Sequence, residues 1–227
     1  MVVSYDDRES LYTNLHMKTE NNIYMVGTPQ EYSEALLKRV SEGLKVASTT
    51  LKYEKPIDVA IIDAESWDIP AKMSILAHAR INHIEAKICF YREDIQIDTV
   101  INVELPLTIQ HEFSHVVRAN TVGYPETLLD ACIDEGIACF VEYGAMPERS
   151  IPYIQEIPGE MELLQKARTQ FSQRLTSKLH SDWFYGTGEM PNWTGYRLGF
   201  LIVQKYMSAN KISLDHLVRL DSKTVLA

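Results

Sequence analysis

The stretch His111-Glu112-Phe113-Ser114-His115 decides how the rest of this sequence is read. On a helix, residues four apart lie one turn above each other, so both imidazoles can point at one metal ion while Glu112 stands beside them on the open side. At roughly 100° per residue, Thr108, His111, Glu112, His115 and Ala119 share one stripe, and Ile109, Phe113, Val116 and Val117 lie opposite it. The pattern predicts a helix over about residues 106–119 with a polar, metal-facing side and an apolar, core-facing side.

A pentapeptide of this kind also occurs by coincidence, so it needs a further ligand to carry weight. A catalytic zinc site uses three protein ligands and keeps the fourth position for water. Glu135, 20 positions after His115, is the candidate. In a second predicted helix, about residues 126–143, Leu128, Ala131, Cys132 and Cys139 share its face, Glu142 stands at the edge, and Leu129, Ile133, Ile137 and Phe140 occupy the adjoining face. An ionised carboxylate in an apolar surround is costly unless it is paired or bound to a metal. Gly136 beside it permits close approach by another helix. Cys132 and Cys139 leave a His-His-Cys set open as an alternative, although free cysteine commonly serves as a small buried apolar residue. Asp134 points about 100° away from Glu135, where it can orient a ligand histidine or meet solvent.

Before this pair of helices the signals change. Thr28-Pro29-Gln30-Glu31 reads as a capped helix start, and Leu36, Val40, Leu44, Ala47 and Leu51 recur at helical spacing to about Tyr53. Ile57 to Asp63 is short, β-branched and bounded by proline and aspartate, hence a buried strand, and a second strand is expected over Ala86 to Glu93. Residues 70–83 are ambiguous. After the two helices, a polar helical stretch near 160–179 and an apolar helix over about 194–207 follow. The expected fold is α+β: a small mixed sheet in a front lobe of about residues 1–105, a mostly helical lobe over 106–227, and the His-Glu-x-x-His helix between them, all in one domain.

Composition limits the partners. The 227 residues carry 22 Lys and Arg against 31 Asp and Glu, a formal net charge of −9, and the basic residues are scattered, so no stripe exists to track a nucleic-acid backbone. Three cysteines without Cys-x-x-Cys spacing indicate neither a disulfide framework nor a thiolate zinc ribbon. The start MVVSYDDRES lacks the basic and apolar regions of a signal peptide, and no run is long and apolar enough for a membrane span. A soluble, cytoplasmic protein is expected.

HEFSHVVRAN, TLLDACIDEGIACFVEY, WFYGTG and PNWTGYRLGFLIVQKYM together resemble an uncharacterised bacterial family of predicted Zn-dependent proteases, a domain-of-unknown-function family itself similar to the gluzincin branch of the zincin metallopeptidases. The resemblance covers roughly residues 86–207. It implies that His111, His115 and Glu135 match the zinc ligands and Glu112 the general base, and that the strand Ala86 to Glu93 matches the edge strand that aligns an extended peptide. One position departs from the wider gluzincin pattern: Cys139 stands where an acidic residue often supports a ligand histidine, which leaves that task to Asp134 or a backbone carbonyl. Tyr196 is the candidate for stabilising an oxyanion, with a core aromatic as the other reading; Arg197 is a weaker candidate for the same work or for a substrate carboxylate. His180 beside Trp183 and Tyr185, His78 and His83 lack fixed-spacing partners and read as packing or surface residues, and Gly186-Thr187-Gly188 reads as a turn.

The expected activity is therefore a zinc-dependent metallohydrolase acting on a peptide or protein substrate, with Zn2+ as its cofactor. The alternatives are an inactive zincin-fold module that binds metal for regulation or interaction, and a plain α+β binding protein in which the pentapeptide is coincidental. Substrate sequence and oligomeric state reside in loop and surface shapes that periodicity does not fix.

Overall fold

A computed structural model describes residues 20–65, 69 and 73–227; the N-terminal stretch read above for a signal peptide lies outside the described residues. The chain enters through β1 (Ile23–Val26), turns through a 3-10 segment at Gln30–Tyr32, and forms α1 (Ser33–Leu51). The five apolar positions expected to define that helix, Leu36, Val40, Leu44, Ala47 and Leu51, are all buried. Its start differs from the expected capped one: Pro29 takes the N-cap position of the 3-10 turn without a side-chain cap.

Three more strands follow: β2 (Asp58–Asp63), β3 (Ile75–Arg80) and β4 (His83–Ile88). The sheet order is β1-β2-β4-β3, parallel across the first two pairings, with β3 antiparallel to β4 at the edge. Two expectations are corrected here. The strand read over Ala86 to Glu93 begins and ends earlier, because Cys89 and Phe90 turn into the interior after the chain has left the sheet. Among the described strands it is also an inner one; the edges are β1 and β3, the latter in the segment whose sequence is ambiguous.

A short helix α2 (Ile97–Thr99) runs through a π-turn, Val100–Glu104, into α3 (Leu105–Thr121). Pro106 near the start of α3 has no N–H to close an α-turn, which suits a junction where the helix changes its hydrogen-bond step. On one side α3 packs along α1 so closely that a Cβ on Gly43 would lie 2.9 Å from the carbonyl oxygen of Pro106. The sheet, through β3, also lies against α3.

The helical lobe comprises α4 (Leu128–Ala145), a 3-10 turn at Pro152–Ile154, α5 (Glu160–Gln170), α6 (Ser177–Phe184), α7 (Thr194–Asn210), α8 (Leu214–Leu217) and α9 (Ser222–Leu226). α4 opens on a capping box, Thr127 with Asp130. The stretch expected as one helix near 160–179 is two, because Thr176 caps a new helix by accepting from the Leu179 amide. One apolar core runs from α1 and the sheet through α3 into α4 and α7. The observed architecture is thus α+β, with α3 between a four-stranded sheet and a helical layer.

Candidate metal centre

α3 and α4 face each other, and their geometry brings three donor atoms together. On α3 the apolar stripe of Ile109, Phe113, Val116 and Val117 is buried, as the periodicity requires, which turns His111, Glu112 and His115 toward α4. His111 and Glu112 are each 7% exposed, so this polar stripe is covered as well. On α4, Glu135 stands beside Gly136, whose missing side chain lets α7 approach: a Cβ there would lie 2.2 Å from the carbonyl carbon of Gly199.

One ligand atom each from His111, His115 and Glu135 lies within 4.8 Å of the other two. The Nε2 atom of His111 is 3.4 Å and that of His115 3.5 Å from Glu135 Oε2. These separations are too long for good hydrogen bonds. They match the edge of a tetrahedron of zinc ligands, about 3.3 Å for metal bonds near 2.05 Å. Glu135 Oε2 is also buried and makes no hydrogen bond, an orphaned acceptor whose cost is removed when a cation sits beside it. The donor set, two neutral imidazoles and a carboxylate, is the one zinc accepts in sites that keep a position open.

The far side of each imidazole is occupied. His115 Nδ1 lies 2.8 Å from Asp134 Oδ2, and His111 Nδ1 lies 3.3 Å from Glu142 Oε2. A carboxylate on Nδ1 fixes the tautomer and aims the Nε2 lone pair inward. The replacement of an acidic residue by Cys139 therefore does not leave the histidines unsupported. Asp134 supports one, as one of the sequence alternatives had it; Glu142, one turn beyond Cys139, supports the other and was missed as a functional residue. The spacing contained the signal, since seven residues on a helix bring Glu142 to within about 20° of Glu135, two turns along the same face.

Both supports are anchored in turn. Arg118 donates from Nε to Asp134 Oδ1 at 2.6 Å and from Nη1 to the carbonyls of Val218 and Leu220 at 3.2 and 3.0 Å, tying the C-terminal segment to the back of His115. Glu142 accepts from the Tyr153 hydroxyl on Oε2 and from Arg149 Nη1 on Oε1.

Without an ion, the titration of these groups follows from their pairing. Burial would lower His111, but the Glu135 and Glu142 carboxylates facing its two ring nitrogens outweigh it and raise the imidazole to about 9. His115 is likewise raised, against burial, by the charge of Asp134. Glu135 is held far below the ordinary carboxyl range because the two histidines overcome its desolvation. Burial pushes Glu112 up, and the neighbouring histidines, with His78 on β3 among them, pull it back in part. Tyr196 is raised well above 10 by burial and by Glu135, so it keeps its hydroxyl proton.

Residues 38–227 match the family model described as "Predicted Zn-dependent protease (DUF2268)". The chain belongs to this family. The match begins well before the 86–207 span on which the sequence motifs rest, and so takes in most of α1 and strands β2, β3 and β4, leaving β1 outside it. "Uncharacterized protein YjaZ" of Bacillus subtilis (strain 168) is similar to it, 29% identical over 126 residues that cover 51% of this chain and 47% of that protein, so the shared region spans about half the relative's length. No solved structure matches significantly. No described helix is long and apolar enough to cross a membrane.

The remaining candidates separate cleanly. Tyr196 on α7 packs against Phe184 at 5.2 Å and Tyr153 at 5.4 Å between ring centroids, and it feels the charges of Glu135 and Glu112. Arg197 turns away from the site: it binds Glu160 and donates to the Ile154 carbonyl at 2.7 Å, holding α5 and the 3-10 turn to α7. Cys132 and Cys139 are fully buried in apolar clusters and are not among the grouped donors, which removes the His-His-Cys alternative. His180 stacks on Phe184 at 4.6 Å, a packing role. His78 and His83 lie on β3 and β4, outside the donor group. The segment Gly186-Thr187-Gly188 bends back on Asp182, which accepts from Thr187 at 3.1 Å.

Proposed function

We propose that the chain is a zinc metallopeptidase of zincin-like architecture, with His111, His115 and Glu135 as the metal ligands, Glu112 as the general base and Tyr196 as the oxyanion donor. The observation that carries this reading is the convergence of two supported Nε2 atoms on a buried, otherwise unpartnered carboxylate oxygen. His111, His115 and Glu135 would hold a zinc ion whose Lewis acidity would lower the pKa of a water to about 7 and polarise a substrate carbonyl.

The chain's own groups do the rest. The Glu112 carboxylate, one residue from His111 on the same stripe, takes the proton of the attacking water and returns it to the leaving amine. The Tyr196 hydroxyl, kept protonated by burial, donates to the oxygen on which negative charge develops. β3 offers a free edge among the described strands and packs along α3, so an extended peptide can add to it as a further strand and lie across the site. Three unpaired, buried cysteines suit a cytoplasmic setting.

The sheet lobe and the helical lobe would act as one unit through α3, which both contact. An inactive metal-binding module is favoured by Cys139 and by the lack of a substrate-pocket signature in the sequence; the carboxylates behind both histidines weigh against the first of these grounds. The test is digestion of a peptide library by the zinc-loaded chain and by Glu112→Gln. Cleavage by the wild type alone is expected; equal turnover by both would remove Glu112 from its role, and no cleavage by a zinc-loaded wild type would favour the inactive module.

A further inference from the structure

Glu142 is where the segment between α4 and α5 meets the metal centre. Its carboxylate is only 3% exposed, and three side chains converge on it, one from α3 and two from the connection between α4 and α5. Oε2 faces His111 Nδ1 at 3.3 Å and also accepts from the Tyr153 hydroxyl, while Oε1 faces Arg149 Nη1 at 3.3 Å. Arg149 Nη2 reaches on to Glu104 at 3.7 Å, at the end of the π-turn.

Tyr153 is set into this arrangement by packing. Its ring stands edge-on to His111, 6.3 Å between centroids, and tilted against Tyr196 at 5.4 Å. It packs against the small apolar cluster of Cys139, Ile151, Ile154 and Phe200. Burial and the adjacent Glu142 charge hold its phenol well above the usual range, so it is a donor throughout the physiological range.

The two histidines differ in how tightly they are supported. Asp134 meets His115 at 2.8 Å, whereas Glu142 meets His111 at 3.3 Å from the end of a longer side chain. A glutamate has one more rotatable bond than an aspartate, and its terminal torsion is soft. Without a second partner on Oε2, the Glu142 carboxylate is free to rotate toward Arg149 and leave His111 Nδ1 without an acceptor. The phenol is that partner.

We propose that Tyr153 is a positioning residue of the metal centre: its hydroxyl fixes the Glu142 carboxylate against His111, which makes the segment between α4 and α5 a working part of the site. The proposal rests on the assignment of His111, His115 and Glu135 as the zinc site.

Chelator competition on the full chain tests it, comparing zinc affinity of the wild type, Tyr153→Phe, Glu142→Gln and the double variant. Loss of the hydroxyl should weaken zinc binding about tenfold, the low end for a group outside the ligands themselves. Because the phenol acts through the carboxylate, the double variant should bind zinc no more weakly than Glu142→Gln alone. Unchanged affinity in Tyr153→Phe, or losses that add in the double variant, would overturn the positioning role while leaving the zinc site standing. A wild type that takes up no zinc would overturn the site assignment itself.

Discussion

Gly136 on α4 and Gly199 on α7 meet backbone to backbone, with a Cβ on Gly136 placed 2.2 Å from the Gly199 carbonyl carbon and one on Gly199 placed 1.8 Å from the Cys132 oxygen. Gly136 follows Glu135 directly, and Gly199 lies three residues after Tyr196, so the contact sets the distance between a proposed ligand and the proposed oxyanion donor. Gly136→Ala is expected to lose about 3 kcal/mol or more by forcing the helices apart, at the upper end of overpacking effects. Denaturant unfolding of metal-free protein measures it. Stability within about 0.5 kcal/mol of wild type, the range of an ordinary surface change, would contradict the account.

The Arg118 guanidinium links Asp134 to the carbonyls of Val218 and Leu220. Removing it by Arg118→Met leaves a largely buried carboxylate and two carbonyls without their donor, an expected loss of about 3 kcal/mol. Asp134→Ala should weaken zinc binding roughly 10- to 100-fold, because His115 loses the group that aims it. Denaturant unfolding of Arg118→Met and chelator competition on Asp134→Ala read the two effects. Full zinc affinity in Asp134→Ala would show that the carboxylate only bonds Arg118.

Metal and protons compete for the same imidazoles. In metal-free protein the histidine pKa values are raised above their unfolded values, His111 to about 9, so the stabilisation they give is complete below about pH 6.5 and fades as pH rises through 9. Zinc needs both rings neutral at Nε2, so its affinity should climb over that same interval, with proton release on binding at pH 7. Calorimetric titration in buffers of different ionisation enthalpy measures the release. Zinc uptake without any released proton would count against His111 and His115 as ligands.

Tyr196→Phe separates chemistry from metal binding. The ring still packs against Phe184 and Tyr153, so zinc content should hold while kcat falls roughly 10²- to 10³-fold, the usual loss for one oxyanion donor. Unchanged kcat on a cleaved peptide would return Tyr196 to a packing role.

Much of the centre was legible because its logic is local. Two histidines one turn apart, a carboxylate on an apolar helix face and a glycine beside it are statements about helical periodicity, and each corresponds to a feature of α3 or α4. Glu142 obeys the same periodicity, but periodicity alone does not tell a supporting carboxylate from the solvated glutamate that is the commoner case. β3 was illegible for a different reason. Ile75 to Arg80 carries two alanines, a histidine and an arginine, and its strand identity comes from pairing with β4 and packing on α3. Tyr153 sits in a connection with no period at all, and only the folded chain brings it to Glu142.

His111, His115 and Glu135 together form the proposed zinc site. A crystal structure of the zinc-loaded full chain, with anomalous data collected on both sides of the zinc absorption edge, tests it most directly. One peak is expected about 2.0 to 2.2 Å from both Nε2 atoms and from Glu135 Oε2, with a fourth position open to water. Zinc found elsewhere on the chain, with these three side chains unligated, would contradict it.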